Sequence, residues 1–345
     1  MAHARAAVAI GGGAPARARL SGALLADARP QEALDAVEPV EDDETAVARA
    51  AALAELGDVA GAETLLATVA PGGHDYHAAC GTVAQLAGRH ADAERHFRAA
   101  HAAARDDAER ATALNALGMV CKYDGRFDES VALYRDALAL LGEDHPAAAA
   151  IYHNLGGVEH ARRDFAAAEP YARRSVELRR AAHGPDHVLV AVDEAALAAI
   201  LHALGSEDEA EELLRRSLPV LEGALGEDHH EVAAAWNNLG SVLAARGDLD
   251  GADAAYRTAL ESKERSVGAA SPALAITLNN LGVTARRRGR PDDAAAFYER
   301  AIAILERSVE PDHPNLLLAR RNRAKLQEER APDDRLEGDT DRGGT

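Results

Sequence analysis

Glycine recurs at Gly142, Gly184, Gly226 and Gly268, and Glu310 continues the series, each position 42 residues after the last. The tripeptide Asn-Leu-Gly at Asn154, Asn238 and Asn280 keeps the same register, with Ala196 opening the equivalent slot between the first two. A second glycine series, Gly205, Gly247 and Gly289, repeats at 42 residues again, and Arg163 stands in its earlier position. Three markers sharing one period identify an array of like units. Such a chain folds by stacking each unit on its neighbours rather than around one central core.

Each unit carries two helical patterns. In the unit from Glu231, Val232, Trp236, Leu239 and Leu243 fall on one face of a helix. Gly247 suits the left-handed position that ends it, and Asp248 suits the cap of the next helix. Ala252, Tyr256, Ala259 and Leu260 then line one face of a second helix. A connection this short makes the two helices antiparallel. Composition agrees, with 47% hydrophobic residues, alanine commonest among them, and only 3% aromatic. Alanine has the best helix propensity, and little remains to build sheets. The expectation is an all-α chain of stacked helix pairs.

Trp236, Leu239, Gly240, Leu243, Ala252, Tyr256 and Ala259 together resemble the tetratricopeptide pattern. The same slots hold Leu278, Leu281, Gly282, Ala294, Tyr298 and Ala301 in the next unit, and Leu114, Leu117, Gly118, Tyr134 and Ala137 in an earlier one. The 42-residue period and the Asp-His joints are similar to the kinesin-light-chain type of this repeat. The resemblance implies a right-handed α-solenoid of about eight antiparallel helix pairs that binds a peptide or partner protein on its concave face. It divides the chain into a disordered leader at 1–15, degenerate helical repeats at 16–108, and regular repeats at 109–314 with a 38- and then a 42-residue period. A capping helix at 315–330 and a disordered tail at 331–345 complete it. Two units fit less well: Glu194 stands where a large apolar residue is expected, and Pro170 falls inside a second helix with a mild kink as its expected effect.

The joints "GEDHP" at Gly142, "GPDHV" at Gly184, "GEDHH" at Gly226 and "EPDHP" at Glu310 pair acid with histidine in a way that suggests chemistry. Zinc needs three or four ligands within about 2.0–2.3 Å of one ion. Joints separated by packed helices about 8–10 Å apart do not bring His145, His187, His229 and His313 to one ion. Within a joint we expect one histidine beside one or two acids. The copy at Gly268, "GAASP", drops acid and histidine yet keeps glycine and proline. A structural joint is the better reading, with Gly142 closing one helix, Pro146 in the first turn of the next, the acid facing a helix start and the histidine serving unpaired carbonyls. No metal site, cofactor motif, phosphate-cradling loop or nucleophile elbow is recognised, and the chain reads as no enzyme.

What remains is a set of polar residues on the first helices. Asn237 with Asn238 and Asn279 with Asn280 are paired, His153 with Asn154 fill the same slots, and Asn115 and Asn322 are further members. Asparagine is a mediocre helix former, and its amide both donates and accepts, matching the backbone of an extended peptide. Since the resemblance places first helices on the concave surface, these residues form a polar ladder there. The plainer alternative is that one member of each pair bonds the neighbouring helix. His160, His202, Arg286 and Arg287 stand one turn further on and face the same groove. With Arg320, Arg321 and Arg323 the last two form a local basic patch, suited to an acidic peptide or a chain terminus.

A net charge of −19 speaks against nucleic acid and anionic membrane partners. Two cysteines build no disulfide framework. We expect a cytoplasmic, monomeric, non-enzymatic scaffold for a protein or peptide ligand, without cofactor. The alternative is a regulatory sensor that closes around a signalling peptide and controls a partner.

Overall fold

The computed structural model describes residues 13–40 and 42–330. The tail expected at 331–345 and the first twelve residues of the expected leader lie outside the described residues. Every regular element among the described residues is helical. The chain divides into two compact units, Met1–Asp193 and Glu194–Thr345. The first contains α1 (Ala14–Ala26), α2 (Pro30–Ala36), α3 (Asp43–Glu55), α4 (Val59–Leu66), α5 (Gly73–Leu86), α6 (His90–Ala102), α7 (Asp107–Tyr123), α8 (Phe127–Leu141), α9 (Ala148–Ala161) and α10 (Phe165–His183). The unit boundary falls inside α11 (Val188–Ala203). The second unit continues with α12 (Glu207–Leu225), α13 (His230–Arg246), α14 (Leu249–Val267), a short 3-10 turn (Pro272–Leu274), α15 (Ala275–Arg287), α16 (Pro291–Leu305) and α17 (Pro314–Arg330).

Within each unit the helices pack in chain order. In the first, α1 pairs with α2, α3 with α4, and so on to α9 with α10, while α1, α3, α5, α7 and α9 also touch in succession. In the second, α13 pairs with α14 and α15 with α16, and α13, α15 and α17 meet in series. Short connections and consecutive packing make the chain an all-α solenoid. No helix among the described residues is long and apolar enough to cross a membrane.

The pairs are held by one repeated contact. A Cβ built on Gly118 would lie 2.5 Å from the Tyr134 ring, and one on Gly282 would lie 2.4 Å from Tyr298. Gly240 faces Tyr256 and Gly81 faces Phe97 in the same way. Each aromatic ring, sixteen residues on, fills the notch that the missing side chain leaves in its partner helix. Where the aromatic is absent the notch changes with it: Gly156 faces the backbone and Cβ of Ala172, and the slots of the next pair hold Ala198 and Leu214, both buried.

The two misfitting positions are resolved locally. Glu194 is buried, and Arg216 answers both its oxygens through Nε at 3.0 Å and Nη2 at 2.8 Å. A bidentate guanidinium replaces the apolar contact expected there. Pro170 lies within α10, which continues as one helix to His183.

Turns follow the second glycine series. Gly205, Gly247 and Gly289 adopt φ of 81°, 89° and 70°. Arg163 occupies the equivalent slot at φ 63°, a left-handed backbone imposed on a residue with a Cβ. Asp248 accepts from the Gly251 N–H at 2.9 Å, as its position predicts. At the joints, Gly142, Gly184, Gly226 and Gly268 all take φ near 85°.

The joint histidines do not serve carbonyl groups as expected; their rings accept a backbone N–H, at the start of the next helix for His187, His229 and His313 and in the turn ahead of α9 for His145. Nδ1 of His145, His187 and His229 accepts the backbone N–H two residues on at 3.2 Å, and His313 does so at 3.3 Å. Ser271, in the copy without acid and histidine, accepts from Ala273 N–H at 3.3 Å through its hydroxyl. One contact, a side-chain acceptor for the N–H two residues on, recurs at all five joints and is supplied by two side-chain types. Pro146 sits in a turn just ahead of α9 rather than inside it, with Ala149 N–H donating to its carbonyl.

Gly240→Ala gains about 1 kcal/mol of helix propensity but loses about 1–3 kcal/mol to overpacking against Tyr256, so the denaturation midpoint falls. Gly223→Ala, on α12 with nothing within 4 Å of the new Cβ, raises it. Relieving the left-handed strain, Arg163→Gly stabilises by about 1 kcal/mol, read as a higher Tm.

The joint at His229 also makes stability depend on pH. Burial holds the His229 ring below its usual pKa, with His230 next in effect, so the unfolded chain binds a proton more readily than the fold. Stability that His229 lends above about pH 6.5 is therefore lost as pH falls below that value. Glu231 raises His230, which acts in the opposite sense. The readout is thus a difference: on acidification wild type loses Tm relative to His229→Ser, and parallel Tm curves would remove His229 from the acid response.

Candidate functional site: the polar face of the first helices

In the first unit, Asn154 Nδ2 on α9 donates to Asn115 Oδ1 on α7 at 2.9 Å. His153 Nδ1 donates to Asp193 Oδ1 at 2.7 Å. Asp193 is almost wholly buried, takes a further hydrogen bond from Ser175 Oγ, and has Arg179 Nε 2.7 Å from Oδ2. His160 stands at the end of α9 with its ring edge-on to Phe165; partial desolvation there, then Lys122, lowers its pKa.

In the second unit, Asn237 Oδ1 accepts from Thr277 Oγ1 at 3.2 Å, and Thr277 accepts from Lys263 Nζ at 2.9 Å. Asn279 is buried and accepts from Asn322 Nδ2 at 2.8 Å. His202 Nδ1 donates to Glu207 at 2.7 Å, closing the α11–α12 turn.

These contacts obey one rule. A residue at the first slot of the ladder accepts or donates toward the first helix of the next pair. The partner is either its second slot, as in Asn154 with Asn115 and Asn322 with Asn279, or a residue three positions earlier, as in Asp193 with His153 and Thr277 with Asn237. Stacking therefore occupies Asn115, His153, Asn154, Asn237, Asn279 and Asn322.

Asn238 and Asn280 differ. Both are half-buried, and neither side-chain amide bonds another described residue. Ala195 fills the slot that Asn238 would address, and Thr277 already holds the slot that Asn280 would address.

The arginine patch is largely neutralised by acids. Arg286 donates to Glu329 at 2.8 Å, Arg320 to Glu306 at 2.8 Å and Arg323 to Glu299 at 2.9 Å. Arg288 pairs with Asp250 and Asp253, and Arg290 with Asp293. Arg287 donates to the Ala244 carbonyl at 2.7 Å.

A cavity that the sequence did not point to opens on the first helices of the N-terminal pairs. It has about 720 Å³ and is lined by small side chains of α1, α3, α5 and α7, among them Gly22, Ala48, Ala51, Ala78 and Thr82. Glu55 borders it, with burial raising its carboxyl pKa. Arg105 at its rim is held by Glu109 and Asp75. The only sequence signal is the density of alanine in these looser units, which equally reads as packing.

A tetratricopeptide repeat model matches residues 77–143, 109–181, 147–223, 191–265, 231–307 and 273–331. None of the curated proteins compared matches the sequence. Among solved structures, a chain of the APC/C hetero-tetramer Cut9-Hcn1 is similar at a TM-score of 0.70 and 16% identity, covering 90% of this chain and 55% of that one. BtubC (BKLC) from P. vanneervenii is similar at 0.49 and 20% identity, covering 75% of this chain and 94% of that one. The first likeness concerns the fold alone, and this chain spans about half the length of that protein. Six overlapping matches run from residue 77 to residue 331, through the same helix pairs that the notch and the joints define: the chain belongs to the tetratricopeptide repeat family.

Proposed function

We propose that the chain is a non-enzymatic scaffold, working as a cytoplasmic monomer, that takes an extended peptide or partner segment along its first helices. The observation that carries this is the pair Asn238 and Asn280. They occupy one slot on successive first helices, and the stack uses neither amide. Packed helices lie about 8–10 Å apart, which three residues of an extended polyproline-II-like chain span at about 3.1 Å each while returning to the same side. Two amides at that spacing address the backbone of residues i and i+3 of a peptide, donating and accepting at each.

Family membership supports a protein partner, since stacked repeats present long continuous faces. The kinesin-light-chain-like subtype rests on the 42-residue period and the Asp-His joints. Because acids pair most of the C-terminal arginines, backbone contact rather than charge carries recognition, and an acidic ligand is favoured only at Arg287 and Arg321. A sensor that closes around its peptide would use the same amides and differ in compacting on binding, which its scattering radius would show.

The test selects extended peptides from a displayed random library on the wild-type chain and measures their affinity by fluorescence polarisation. Asn238→Ala with Asn280→Ala removes four hydrogen bonds of about 0.5–1.5 kcal/mol each, so affinity falls roughly 30-fold or more while Tm does not fall. Undiminished binding by the double variant would place the ligand elsewhere.

A further inference from the structure

His187 is the one joint histidine with a second role. Its Nδ1 caps α11, and its Nε2 lies 3.2 Å from Asp27 Oδ1. Asp27 comes from the turn that closes α1, far away in sequence but in the same unit. His183, the last residue of α10, places its Nδ1 3.2 Å from the same oxygen. The two imidazoles stack with centroids 4.5 Å apart and planes 23° from parallel. One ligand atom from each of the three residues lies within 4.8 Å of the other two. The side chains are 20–28% exposed, so the cluster is sheltered yet open to solvent.

We propose that Asp27, His183 and His187 bind a divalent transition-metal ion of the zinc class. Ligand atoms about 2.0–2.1 Å from a tetrahedral ion stand about 3.3 Å apart along each edge, and both histidine–aspartate edges here are 3.2 Å. Two imidazole nitrogens and one carboxylate oxygen suit zinc rather than calcium or magnesium, which take oxygen ligands. Three protein ligands leave the fourth position to water. Nearby charge permits the ion: Arg179 is paired with Asp193, and Arg29 approaches only the other oxygen of Asp27, at 3.8 Å. An ion on Nε2 of His187 moves the ring proton to Nδ1, so binding gives up the cap on Leu189 N–H. The site is thereby coupled to the start of α11 and ties the turn after α1 to the α10–α11 joint. This cluster corrects the expectation of one histidine per joint, because His183 belongs to the preceding helix and Asp27 to the first pair.

Zinc chloride titrated calorimetrically into the metal-free full-length chain tests the proposal. One ion binds per chain, and Asp27→Asn and His183→Ala each weaken it by roughly 100-fold or more. His145→Ala, at a joint without the second histidine, leaves it unchanged. Asp27→Asn keeps side-chain volume at a partly exposed turn, so loss of binding with an unaltered circular dichroism spectrum reports the ligand and not the fold. Cobalt(II) bound to wild type gives the visible absorption of a four-coordinate ion, which both variants lose. Zinc binding that is equal in wild type and both variants, or absent from wild type, would overturn the site and leave an ordinary histidine–aspartate contact.

Discussion

The contact between a side-chain-free glycine on one helix and an aromatic ring on the next is the constraint the rest of the structure depends on. A helix pair with so few large residues has little surface with which to fix its own angle. Placing Tyr134, Tyr256 or Tyr298 against a bare stretch of partner backbone lets one ring set the separation of two helices. That spacing then propagates, because each pair is the template on which the next one stacks. The pairs that lack the ring show the same constraint from the other side. Ala172 and Leu214 come with Gly156 and Ala198, a matched change in both members rather than a hole in one.

The joints solve a separate problem, which is how to end one helix and begin another within a few residues while leaving no N–H group unanswered. Glycine at φ near 85° reverses the chain, and a side-chain acceptor three positions on receives the first free N–H. Histidine does this only when its Nδ1 is unprotonated, whereas serine at position 271 does it at any pH. Histidine recurs in these joints for the geometry of a turn, the acids Asp144 and Asp228 reach Arg174 and Arg265, and it takes an unrelated residue, Asp27, to give His187 the proposed metal chemistry.

Much of the fold was legible in the sequence because the repeat supplied several readings of each slot. Gly247 and Asp248 declared the turn, and Arg163 was placed by register alone, against its own backbone preference. What periodicity did not reveal was direction: which atom of the joint histidine faces which end of a helix, or that Glu194 is answered by Arg216 from the following helix. Contacts between residues distant in sequence were invisible for a stronger reason. Asp27 meets His183 and His187 across the intervening helix pairs, a contact that no single unit encodes.

The asparagine ladder shows how a structural device leaves room for a functional one. If the amides served only to stack helices, each would be expected to find a partner in the neighbouring pair, as Asn154 finds Asn115 and Asn322 finds Asn279. Asn238 and Asn280 fail to do so for two different reasons, an alanine in one facing slot and a competing threonine in the other. A half-buried amide without a partner is a cost in a helix that alanine would build better. Stacking is satisfied without these two amides, and two such costs, on adjacent helices and in one register, are what the backbone of the proposed peptide would answer.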